Sequence, residues 1–200
     1  MPRVQQRPAE LPRLVSVAGR PPPTDLAAER AVLSACMIDA SRLDIAHAII
    51  QRRDFYDERH QVIWSALLEL RAAAVPIDVV TLAAQLRDHV IVDEKGETRN
   101  RLAVAGGVAY LGHLIDETPA VSHLEAHARI VHDCATRRRV ISTAQLVAAE
   151  GYGEVEPHWE VGAATRLAEA AEVENRNRGA IFETWRTWSR EMLDTPPAPQ

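Results

Sequence analysis

From Asp54 to Thr81 the chain reads DFYDERHQVIWSALLELRAAAVPIDVVT, and this stretch limits the fold more than any other. Asp57 stands where an N-cap belongs, with Glu58 in the first turn, where a carboxylate suits the helix dipole. Val62, Ile63, Ala66, Leu67 and Leu70 follow at spacings of one, three and four, which sets them on one helical face. Trp64 and Leu68 widen that face, so neighbours must cover the helix on more than one side. Pro76 ends it, and Asp78 caps the next helix. A helix this apolar belongs in the middle of a bundle.

The rest of the chain supplies the wrapping. Residues 1–23 hold six prolines and scattered arginines with no sustained periodicity, which reads as a disordered arm. Thr24 is placed to cap a helix over Asp25–Ile38, with Leu26, Val32, Leu33, Cys36, Met37 and Ile38 as its apolar positions. A short helix is expected over Ser41–Gln51, packing Leu43, Ala46, His47, Ile49 and Ile50 inward. Residues 90–105, with a Lys95-Gly96 turn, read as a loop or small hairpin. Gly106-Gly107 restarts a helix to about Glu117, carrying Val108, Leu111, Leu114 and Ile115. Thr118-Pro119 breaks it, and Ser122 with Glu125 has the capping-box spacing.

A much longer helix then runs over Leu124–Glu150, about 40 Å at 1.5 Å per residue. Gly151-Tyr152-Gly153 closes it, and a further helical pattern covers His158–Glu174. Two long helices joined by a short glycine-bearing loop predict an antiparallel hairpin. Ile181, Phe182, Trp185 and Trp188 give 175–193 an amphipathic pattern, and TPPAPQ is linker-like. The organisation is therefore an arm (1–23), a globular bundle (24–117), a hairpin (118–174) and a tail (175–200). The predicted fold class is all-α: a compact helical bundle followed by a long antiparallel helical hairpin.

Composition agrees. Hydrophobic residues make up 46% and aromatics 4%, and few runs alternate with period two, which favours helix over sheet. Two cysteines far apart give neither a disulfide framework nor a zinc ribbon. Without an apolar run long enough to span a bilayer or a hydrophobic signal core, the expectation is a cytoplasmic protein with no membrane partner. Charge is uneven: residues 24–174 hold fifteen basic and twenty-four acidic residues, a net −9, while the arm carries +3 and the tail +1. An acidic body is a poor grip for phosphate backbones. Contact with DNA is expected only indirectly or through the basic arm.

Catalytic patterns are lacking. The single lysine, Lys95, precedes Gly96, whereas a Walker A phosphate loop needs a lysine followed by Ser or Thr at a helix start. His123, His127 and Cys134 fall near one stripe of the long helix, but ligands on one straight helix cannot surround a tetrahedral ion. Ordinary polar helix positions explain them more simply. Asp54, Asp57 and Glu58 could suggest acid–base work, yet no histidine in the sequence is arranged with them, and capping accounts for them. Arg137-Arg138-Arg139 spans about 200° of helical arc, so not all three face one ligand. At least one is expected to form an intramolecular ion pair or to lie along an apolar neighbour. Val140, Ile141, Leu146 and Val147 lie on a helix too long for a globule of roughly 13 Å radius of gyration per hundred residues to cover. Together with Arg137 and Arg138 they are the candidate partner-contact residues.

These residues carry a resemblance. The run from Thr24 to Leu33, Asp54-Phe55-Tyr56, His60, Ile63, Ile77-Asp78 with Thr81, Leu86, Gly106-Gly107 with Tyr110-Leu111, Thr118-Pro119, and Ala128 with Ile130-Val131 resemble, in order and spacing, the N-terminal domain of DnaB-type replicative helicases. The likeness covers about Thr24 to Arg139 and weakens toward Glu174. Ser34 departs from it, standing where that family favours glycine. The 90–105 segment is also longer than the family's, and the Trp185/Trp188 tail has no counterpart. The resemblance implies a helical bundle with a long hairpin, acting as a non-catalytic collar on a hexameric ring. It implies pairing with itself, as a dimer or a trimer-of-dimers ring, and docking of primase and a helicase loader. ATP and Mg would belong to a separate C-terminal domain, leaving no cofactor in this chain. Two other classes stay open: a free-standing adaptor or inhibitor of a replicative helicase, and a small metal enzyme on the His123–Cys134 helix.

Overall fold

A computed structural model of the chain describes residues 19–88, 90–92, 98–116 and 123–171. The arm up to residue 18, the Lys95-Gly96 turn, the Thr118-Pro119 break, Ser122 and the amphipathic tail lie outside them. Among the described residues the elements are α1 (Leu26–Ile38), α2 (Arg42–His47), a 3-10 turn at Arg52–Asp54, α3 (Glu58–Ala72), α4 (Val79–Asp88), β1 (Val90–Val92), β2 (Thr98–Asn100), α5 (Arg101–Val104), α6 (Gly107–Asp116) and α7 (Leu124–Gly151). A further helix, α8, occupies 159–171. Among the described residues the fold is all-α apart from one antiparallel ribbon, in which Val90 pairs with Asn100 and Val92 with Thr98. None of the described helices is long and apolar enough to cross a membrane.

Two helices, not one, form the centre. In α3, Val62, Ile63, Trp64, Ala66, Leu67 and Leu70 are buried, as the periodicity predicts. Yet α1 is buried over most of its circumference too, from Ala28 to Met37, because it packs against α2, α3, α6 and α7. Its ends are exposed, Leu26 and Ile38 against expectation. The N-cap of α1 is Asp25 rather than Thr24: its carboxylate accepts the Ala28 N–H at 2.9 Å. The short α2 covers only part of the stretch expected to be helical. Ser41 heads it without a side-chain cap bond, its hydroxyl donating to Asp39 instead. His47 and Val108, expected inside, are exposed.

α3 stops four residues before Pro76. The Val75 N–H reaches the Leu70 carbonyl at 3.0 Å and the Ala74 N–H that of Arg71 at 3.1 Å, a Schellman closure. It requires a left-handed residue, and here that residue is Ala74, at φ 54°. Asp78 caps α4 as predicted, accepting the Thr81 N–H at 2.8 Å. Gly106 and Gly107 both have positive φ, and a Cβ on Gly106 would come within 2.9 Å of the Tyr110 Cβ. The pair therefore lets the chain turn sharply and brings Tyr110 close to the bundle.

The expected boundary between globule and hairpin at 117/118 lies outside the described residues, and the first part of α7 beyond it still packs into the globule. Leu124, Ala128 and Val131 belong to the same buried cluster as α1 and α3, and Ala135 and Thr136 are still buried. From Arg137 to Gly151 no residue of α7 is buried. The globule therefore ends inside a continuous helix, at the point where the arginine run begins.

Candidate interaction surface

At that point the helix is bolted to the globule. The Arg138 guanidinium donates to the carbonyls of Pro23 (2.9 Å) and Asp54 (2.6 Å) and lies 5.5 Å above the Tyr56 ring. Arg139 donates to the Asp54 carboxylate at 2.9 Å and to the Thr136 hydroxyl at 2.7 Å. Asp54 also accepts the Gln51 N–H at 2.9 Å, closing a capping box on the 3-10 turn. The buried His132 brings its Nδ1 to 3.5 Å from the same carboxylate. A histidine is thus arranged with Asp54 after all. The sequence hid it because the two residues are far apart along the chain. Burial pushes the Asp54 carboxyl up, but His132, the Gln51 N–H and Arg139 together outweigh it and hold the group below the ordinary carboxylate value.

A second polar cluster braces the globule. Glu29, buried on α1, accepts the Tyr56 N–H at 2.7 Å and meets His60 Nδ1 at 2.6 Å. His60 Nε2 lies 2.7 Å from the Tyr110 hydroxyl, and the two rings stack. With Glu29 ionised, Nδ1 carries the proton and Nε2 accepts from the tyrosine. The arrangement has the look of an acid–base relay, but Glu29 and His60 are closed off from solvent and neither can reach a substrate. Its effect is to pin α1, α3 and α6 to one another.

Beyond Thr136 the hairpin holds itself together at its tip. Glu150 takes two bonds from Arg166 (2.8 and 2.5 Å) and one from the Trp159 indole N–H at 3.1 Å. Arg166, with Trp159, draws the Glu150 carboxyl down from 4.5 to about 2. Ala144, Val147, Ala148, Gly151, Tyr152, Trp159 and Leu167 line the seam, an open cleft of about 370 Å³. Trp159 lies so close to Gly151 that a Cβ there would meet the indole at 3.0 Å.

The six candidate contact residues therefore separate. Val147 lies in the seam, and Val140 is half-buried. Arg138 is bonded within the chain, whereas Arg137 is exposed. Ile141 and Leu146 stand open at 41% and 54% exposure, joined by Val161 of α8 at 61%. Leu146, two positions after Ala144, projects about 160° around the helix from the seam. On α8, Trp159 and Leu167 face this stripe across the seam, and Val161 does not line it. Of the residues weighed as metal ligands, His123 is exposed and Cys134 half-buried, and among the described residues no three potential ligands converge.

Comparison with known proteins places this architecture. The family model described as DnaB-like helicase N terminal domain matches residues 21–133. The replicative DNA helicase DnaB of Geobacillus stearothermophilus is 37% identical over 133 residues, 66% of this chain and 27% of that protein. The chain thus spans little more than a quarter of that relative's length. The crystal structure of the N-terminal domain of DnaB helicase from Mycobacterium tuberculosis superposes with a TM-score of 0.67 at 29% identity, covering 76% of this chain and all of that one. A DnaB-like replicative helicase described with its interactions with primase superposes at 0.56, with 22% identity over 88% of this chain and 36% of that one. That last likeness is one of fold.

Proposed function

The chain belongs to the DnaB-like helicase N-terminal domain family, and from that premise we propose that it works as a non-catalytic collar domain in DNA replication. It pairs with a second copy through the outer face of the hairpin, and the paired collar offers docking ground to primase and to the loader that helps a ring assemble. ATP hydrolysis with Mg, and unwinding, would belong to a separate C-terminal domain, and the setting would be the cytoplasm. The observation that carries the reading is the distal half of α7: it extends past the globule with Leu146 turned away from its own hairpin mate and exposed. An apolar side chain held there, on a helix fixed at one end by Arg138 and Arg139, suits a helix–helix contact between copies. The primase partnership is supported by the fold shared with a helicase described with primase.

Sedimentation tests the pairing. The wild-type chain should self-associate with rising concentration, and Leu146→Glu should stay monomeric while keeping its helical circular dichroism, since the charge enters only the intermolecular contact. A wild type that is monomeric at high concentration, with the variant simply unfolded, would place Leu146 in the hairpin's own core and overturn the reading. Adding primase to both species then reports whether docking needs the paired form.

A further inference from the structure

Of the other exposed features, the 3-10 turn that anchors α7 also carries two arginines on its open side. Arg52 and Arg53 are both exposed. With Gln51 and Gln61 they line a notch of about 390 Å³. Several arginines of the described body have a carboxylate: Arg42 with Asp39, Arg59 with Asp57, Arg71 with Asp44, Arg101 with Glu69, Arg129 with Glu125, Arg139 with Asp54 and Arg166 with Glu150. Arg52 and Arg53 have no such partner among the described residues. Glu58 stands three positions before Gln61, on the same side of α3, and still makes no ion pair with either. In a body of net −9, two adjacent guanidinium groups without carboxylates are an unused binding capacity.

The site is also stiff. Its backbone runs between buried Ile50 and buried Phe55 and is closed by the Gln51–Asp54 capping box. Asp54 is itself held by Arg139. One wall is fixed as well, because the Gln61 side-chain amide donates to the Phe55 carbonyl at 2.9 Å. Two guanidinium forks on a fixed turn, flanked by amides that can donate and accept, match the planar, bidentate chemistry of carboxylates. The turn is ordered before binding, and what an occupant must still order are the two arginine side chains.

We propose that the Gln51–Arg52–Arg53–Gln61 notch docks an acidic peptide segment of a partner protein, at a surface distinct from the hairpin face. A protein segment is favoured over nucleic acid by charge. A duplex brings one negative charge about every 1.7 Å against an acidic body, whereas a few side-chain carboxylates can enter the notch alone. Because Arg138 grips the carbonyl of Asp54 in the same turn, an occupant would sit on the element that anchors α7.

Titration of the chain with hexaglutamate tests this, followed through the arginine side-chain Nε–Hε resonances. Saturable shifts are expected at Arg52 and Arg53 and not at exposed Arg87, which serves as the internal control. Replacing the pair by Arg52→Lys and Arg53→Lys keeps the charge but removes the fork, and should weaken binding about tenfold with the melting temperature unchanged. The proposal is overturned by shifts of equal size at Arg87, by full affinity in the lysine pair, or by the absence of saturation. Tighter binding of an oligothymidylate at the same resonances would assign the notch to nucleic acid instead.

Discussion

From Leu124 to Thr136, α7 turns Leu124, Ala128, Val131 and Ala135 into the common core; from Arg137 to Gly151 it buries nothing completely. Yet the apolar stripe continues through the change, as Val140, Ala144, Val147 and Ala148, with small or branched residues at the same helical spacing. The difference lies in what covers the stripe. In the first half α1, α2 and the 3-10 turn supply the cover, and in the second, among the described residues, α8 does, through Trp159 and Leu167. Burial is a property of the surroundings, and a helix can carry one pattern through two environments. What separates them here is a polar joint, Asp54 with Arg138, Arg139 and His132, that stops α7 from swinging on the globule.

The comparison breaks most directly at matched leucines. Leu124→Ala should cost about 2–5 kcal/mol, as should Leu67→Ala in α3, because both side chains are buried. Leu146→Ala should stay within about 0.5 kcal/mol in dilute solution. Urea denaturation of the three variants reads the contrast, and equal losses at Leu124 and Leu146 would abolish the distinction between the halves.

Next in size is the joint. Asp54→Asn leaves Arg139 and His132 facing a neutral amide, and a loss of about 1.5–3 kcal/mol is expected for a charged hydrogen-bonding group. The sign of the pH dependence follows from the depressed carboxyl. Its contribution is fully present above the ordinary aspartate value of about 3.9 and fades as pH falls through the lower folded value. Acid titration of the wild type should therefore show a stability loss below about pH 4 that is smaller in Asp54→Asn. Curves of identical shape would mean that Asp54 does not carry the joint.

The tip of the hairpin gives the smallest effect. Glu150 is held at about 2 by Arg166 and Trp159, so its contribution to stability declines as pH drops below the ordinary 4.5, while the clamp itself opens only as pH falls through about 2. The Trp159 indole N–H resonance should move in that window and should stay insensitive to it in Glu150→Gln. A Trp159 signal that is flat in the wild type would place the indole outside the clamp.

Much of this architecture is readable from residue order. The N-cap Asp57, the apolar face of α3, the Asp78 cap and the start and length of α7 all follow from local spacing, because caps and helical faces are decided within a few positions. Capping and a local pair with Arg59 explain Asp57, but capping explains Asp54 only in part: its contacts with Arg139 and His132 join residues nearly eighty or more positions apart, which no local pattern encodes. The Glu29–His60–Tyr110 brace is hidden for the same reason. The end of α3 is missed because a left-handed alanine carries no mark in the sequence, whereas Pro76 does. On the candidate surface, periodicity finds the stripe on α7 but cannot say which of its residues α8 covers. Val147 and Leu146 are neighbours in sequence and face different ways.

Native-state hydrogen exchange along α7 tests the central claim most directly, that one helix serves both as core and as a partner surface. At low concentration the amides of residues 128–136 should exchange only through global unfolding, and those of 140–150 should exchange faster, through local opening. Raising the concentration into the range of self-association should slow 140–150 and leave 128–136 unchanged. Protection that is uniform along the helix and indifferent to concentration would contradict the account.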